Sequence, residues 1–117
     1  MVKLENDGGV ISITSDVFTN LAGDAATRCF GVKGMAGRAK GNGFAVLLGR
    51  ESMSKGVFVR FPEEGGVDIE LHIVIDHGVN IVTLAHSIIS EVSYKVTEAT
   101  GVRVNHVDVF VDSMVSE

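Results

Sequence analysis

Tryptophan is missing from this chain of 117 residues, and cysteine, proline and tyrosine occur once each. The lone Cys29 excludes an internal disulfide and any cysteine-rich metal cluster; it falls at an apolar position of an expected helix and reads as a small core residue. Pro62 opens the run Pro-Glu-Glu-Gly-Gly, a turn. No apolar stretch reaches the roughly eighteen residues a membrane helix needs, and residues 1–12 lack the basic start and apolar centre of a secretory leader. A cytoplasmic protein without direct membrane insertion is therefore expected. What is present is ordinary for a folded domain: 45% hydrophobic and 21% charged residues, far from the composition of disordered chains. A chain of this length buries about two thirds of its unfolded surface, so a single domain over 1–117 with one core is expected.

The net charge of −5 argues for solubility and against generic nucleic-acid binding. Its distribution is uneven. Residues 28–60 hold seven basic side chains (Arg28, Lys33, Arg38, Lys40, Arg50, Lys55, Arg60) and one acid, Glu51, which makes that stretch +6 and the remainder −11. The molecule should have a basic end.

Apolar periodicity places the elements. Val10, Ile11 and Ile13 form a short strand before Thr-Ser-Asp, with Ser15 as helix cap and Asp16 where the helix dipole favours an acid. Val17, Phe18, Leu21, Ala22, Ala25, Ala26 and Cys29 follow at helical spacing, a stripe of mostly small residues suited to close packing around Gly23. Gly31 should end that helix, and the five glycines of 31–43 read as a mobile loop. Residues 44–48 form a short apolar run, and Val57, Val59 and Phe61 alternate with Phe58 and Arg60. Val67, Ile69, Leu71, Ile73 and Ile75 alternate with Asp68, Glu70, His72, Val74 and Asp76, the clearest strand pattern in the chain. Asn80 is placed to cap a helix whose face is Ile81, Leu84, Ala85, Ile88, Val92, Val96 and Ala99, and Gly101 to end it. A last strand carries Val102 and Val104, then Val107, Val109 and Val111, with a bulge expected at Asn105-His106 to keep all five valines on one side. The expected fold class is α+β: a two-layer structure with a mixed sheet in the order β-α-β-β-β-α-β and both helices on one face. Phe58, Val74 and Phe110 would then lie on the open face of the sheet and mark a contact surface for a homo-oligomer or a docking partner.

Catalytic patterns are absent. His72, His77, His86 and His106 show no metal-ligand spacing, so no metal site or other cofactor is expected. There is no nucleophile elbow and no dinucleotide fingerprint. The run from Gly49 to Gly56 departs from a phosphate loop in its second glycine and its hydroxyl residue, and a strand follows it where a helix would be needed. Glu63 and Glu64 are a solvated turn tip. The chain is expected not to be an enzyme.

Several segments together resemble a family. They are Gly-Val-Ile-Ser-Ile from Gly9, Leu-Ala-Gly-Asp-Ala-Ala over 21–26, Gly-Val-Lys-Gly-Met over 31–35, Leu-Leu-Gly over 47–49, Lys-Gly-Val over 55–57, the strand 67–75, and Thr-Gly-Val-Arg-Val over 100–104 ahead of His-Val-Asp-Val-Phe-Val over 106–111. In order and spacing this chain is similar to the alkaline shock proteins of mostly Gram-positive bacteria. The resemblance implies a non-catalytic binding or scaffold protein tied to cell-envelope stress. It also implies self-association, no cofactor, and a second protein partner, membrane-anchored in some relatives, that would hold the chain peripheral to the membrane. The alternative is single-stranded nucleic-acid binding, because Gly-Val-Lys-Gly over 31–34 matches the backbone-clamping loop of KH domains and Lys33, Arg38 and Lys40 supply charge beside it. Those three basic residues are also the candidates for contact with an acidic protein partner.

Overall fold

The structure, a computed structural model, describes residues 1–38, 45–47 and 55–116. Among the described residues seven strands and two helices follow one another as β1 (Val2–Asn6), β2 (Gly9–Ile13), α1 (Ser15–Thr27), β3 (Val32–Arg38), β4 (Ala45–Leu47), β5 (Val57–Arg60), β6 (Val67–Asp76), α2 (Ile81–Thr100) and β7 (Val104–Val115). The α+β class, the mixed sheet and the expected order are all present. Two strands are additional. β1 pairs with β2 in a hairpin, and β3 occupies part of the segment expected to be a loop; residues 39–44 lie outside those described.

The centre of the main sheet is β6. It runs parallel to β7 along its whole length and antiparallel to β5 over Asp68–Leu71 and to β3 over Ile73–Ile75. Because β7 takes one entire edge, β5 and β3 share the other, end to end, and β4 lies outside β3. Gly56 sits at their junction. A Cβ there would stand 2.8 Å from the carbonyl oxygen of Ala36 and 3.2 Å from that of His72, so a side chain would push β3 away from β6.

The helices cover one face. Phe18, Ala22, Ala25 and Ala26 of α1 and Leu84, Ile88, Val92 and Val96 of α2 pack on Val57, Val67, Ile69, Leu71, Ile73, Ile75 and Val107. Phe18 meets Phe61 edge to face at 5.4 Å. The α2 caps are those expected: the Asn80 side chain accepts from the Thr83 N–H at 3.0 Å, and Gly101 takes φ 74°. At α1 the caps differ. Thr14 rather than Ser15 is the N-cap, with no side-chain bond, and the helix stops at Thr27, whose hydroxyl donates to the Gly23 carbonyl at 2.9 Å. Cys29 therefore lies beyond the helix, half-buried against the core.

The expected bulge is present. Val104 pairs with Val67 and His106 with Asp68, which leaves Asn105 as the extra residue. Val102 and Val107 are buried, and Val104, Val109 and Val111 pack against the same core. A second shift, between Val111 and Ser113, leaves Asp112 unpaired in the ladder.

Candidate functional site

Strand parity determines what the face of the sheet turned away from the helices presents. With Val67, Ile69, Leu71, Ile73 and Ile75 turned to the helices, Asp68, Glu70 and His72 of β6 must point the other way. Pairing sets Arg60 and His106 on either side of Asp68, Phe58 and Asp108 on either side of Glu70, and Phe110 beside His72.

The His72 ring is the most tightly held feature of this face. Phe110 stacks on it with centroids 4.9 Å apart and planes 9° from parallel, and Phe58 meets it edge-on at 5.5 Å. Its Nδ1 lies 2.9 Å from Asp112 Oδ2 and its Nε2 2.7 Å from Glu70 Oε2. The Asp112 bulge makes this contact possible, because the unpaired residue swings its carboxylate across to β6. Phe58, Glu70, His72 and Asp112 rim a hollow of about 400 Å³, shared with Ala36, Gly37 and Lys55. Phe58 and Phe110 remain 56% and 45% exposed, so the aromatic pair is offered to solvent even though it braces the histidine.

One strand turn away, Asp68 is only 8% exposed. Its Oδ2 is paired with the Arg60 guanidinium. Its buried Oδ1 makes no hydrogen bond, and His106 Nε2 stands 3.5 Å from it. Arg60 and His106 thus hold a carboxylate that would otherwise be costly to bury.

As acid/base equipment the cluster is poor. Both nitrogens of His72 are engaged by carboxylates, which leaves none to take a proton from a substrate. Among the described residues no group of three or more His, Cys, Asp or Glu side chains is arranged to hold a metal ion. Cys29 has its thiol pushed up, first by burial and then by the Glu91 carboxylate, away from thiolate chemistry.

Of the six residues singled out from the sequence, five lie among those described. Phe58 and Phe110 come together around His72. Val74 does not join them: it is 2% exposed, on the middle of three strands with Gly34 and Ser113 as its ladder partners. Lys33 is on β3, where its Nζ lies 3.6 Å from Asp76 Oδ1. Arg38 ends β3, and Lys40 lies outside the described residues. The Gly-Val-Lys-Gly run is no loop before a helix, as a KH clamp needs; it enters β3, and Gly34 is buried in the sheet. Asp112, Asp68 and His106 were missed. The alternation around His72 signalled its face, but only the second bulge brings Asp112 to it.

A family model for the alkaline shock proteins, described as having a "cell envelope-related function", matches residues 3–116. The chain is 32% identical over 115 residues to an uncharacterized protein, YloU, of Bacillus subtilis, covering 97% of this chain and 94% of that protein. It is 31% identical over 114 residues to the uncharacterized protein Spy1614 of Streptococcus pyogenes serotype M6, covering 97% and 93%. Among solved structures, MamM-CTD 215-293 superposes with a TM-score of 0.50 at 17% identity, over 89% of this chain and 100% of that one, a likeness of fold.

Proposed function

The chain belongs to the alkaline shock protein family, whose function is cell envelope-related, and from that premise we propose that it is a non-catalytic scaffold of envelope homeostasis that associates with itself and with another protein. The observation that carries this reading is the open face of the sheet. Phe58 and Phe110, large and exposed, are held rigid by a histidine that is itself held by two acids. Rigid aromatics on an uncovered face lose little conformational entropy when a partner buries them. The engaged state of His72 supports binding over catalysis. Lys33, Arg38 and Lys40 would supply attraction for acidic stretches of the partner. None of the described helices is long and apolar enough to cross a membrane; in this reading the chain works in the cytoplasm and reaches the membrane through its partner.

The test is capture from the native cell followed by mass spectrometry, comparing the natural chain with the double variant Phe58→Ser, Phe110→Ser. A specific co-purifying protein should be lost from the variant while its circular dichroism stays unchanged. Retention of every captured protein by a folded double variant, or an enzymatic turnover abolished by His72→Gln, would overturn the reading.

A further inference from the structure

β7 is twelve residues long and pairs with β6 on one side only; among the described residues no strand lies along its other edge. A long open edge exposes a row of unpaired backbone N–H and C=O groups, which soluble proteins normally cover. The two bulges, at Asn105 and Asp112, interrupt that edge but leave 106–111 regular, enough for a short ladder.

The layer above this edge is also unfinished. α1 packs over β3 and β5 and α2 over β7, so α2 is the helix nearer the open edge. Ser87, Glu91, Tyr94 and Glu98 line the grooves that α2 makes with α1. At about 100° per residue, Val82, Ala85 and Ile89 fall on the opposite flank, overhanging β7. Val82 is 65% and Ile89 36% exposed. Beneath them Val109 and Val111 face the helices yet are only half-buried. An apolar strip thus runs beside an unpaired strand.

We propose that this strip and edge join two copies of the chain, with their β7 strands antiparallel about Val109. This rests on the reading that the chain associates with itself, and it names the surface. A two-fold axis perpendicular to the sheet keeps both helical layers on one side, so only residues of equal parity can face each other across it. Centring on Asp108 sets that carboxylate against its own copy, and centring on Phe110 leaves only 109–111 paired before the Asp112 bulge enters the ladder. Centring on Val109 sets Asp108 against Phe110 and Val107 against Val111, all within the regular stretch. Of these three registers only the last keeps five regular residues without facing carboxylates. The two α2 flanks then close over the seam, while Phe58 and the His72 cluster stay on the opposite face for another partner.

Sedimentation of the full chain from about 1 to about 100 µM should show a dimer, and Val82→Lys with Ile89→Lys should weaken it by roughly a hundredfold, because both lysines put charge into the apolar strip that the seam buries. In a Cys29→Ser background, Val109→Cys should oxidise to a covalent dimer, since residues paired with themselves across an antiparallel seam lie about 4.5–5.5 Å apart at Cα, within disulfide reach. Asp108→Cys should not. If the lysine variant fails to fold, the cysteine pair still decides. A dimer indifferent to the lysines and not linked through position 109 overturns this surface and leaves self-association standing. A monomer across the whole range overturns both.

Discussion

At His72 opposing influences meet. Burial is the largest single one and favours the neutral ring, but hydrogen bonds to Glu70 and Asp112, with the charge of both acids, outweigh it and raise the histidine above its ordinary 6.5. The sign of the consequence follows. A folded-state pKa above the unfolded one means that the protonated ring stabilises the fold fully below about pH 6.5, and that this contribution fades as pH rises through the folded-state value. His72→Gln should therefore lower the melting temperature most under mildly acidic conditions, with the gap to the natural chain closing toward alkaline pH. A gap that stays constant from about pH 5.5 to about 8.5 would mean that the ring acts only by packing between Phe58 and Phe110. The histidine's face was legible from alternation alone. So was Glu70, two residues away on the same strand, whereas Asp112 arrives from forty residues away and left no local sign.

Among the elements, the two helices are secured in different ways. Asn80 closes the start of α2 through its side chain, whereas Thr14 at the start of α1 makes no such bond. Asn80→Ala should cost about 1 kcal/mol in urea unfolding and Thr14→Ala much less; equal losses would show that capping is not what distinguishes them. The strands teach a second lesson. The Asn105 bulge was readable because five valines at 102, 104, 107, 109 and 111 cannot share one face of a regular strand. β3 was not readable. Its Val-Lys-Gly-Met-Ala-Gly-Arg sequence has no alternation and two glycines, and its strand state depends on pairing with β6, with Met35 and Ala36 buried as a result. Such tertiary override is common where propensity is weak.

Across the whole molecule, the charge asymmetry bears on which class of partner is bound. If the basic stretch served single-stranded RNA, binding should fall steeply with salt, and replacing Lys33, Arg38 and Lys40 by alanine should flatten the slope by roughly one unit per lost phosphate contact. With Gly34 inside the sheet and Lys33 beside Asp76, the expected result is no RNA binding at micromolar concentration and physiological salt. Tight binding abolished by the triple substitution would restore the nucleic-acid reading.

By itself the sequence determined the α+β class, the order of the main elements, the core-facing residues of β6, the buried Leu84, Ile88, Val92 and Val96 of α2, the caps of α2, and the family. Each of these is written in local spacing: a period of two or 3.6, a capping residue at its offset, a motif in order. Tertiary structure alone decided that Val74 is buried while Phe58 and Phe110 stay open, that β3 is a strand, that Asp112 reaches His72, and that among the described residues β7 is left with an edge. All of these depend on which strand lies beside which, and a pairing such as that of Val67 with Val104 or Val74 with Ser113 leaves no period in the sequence between them.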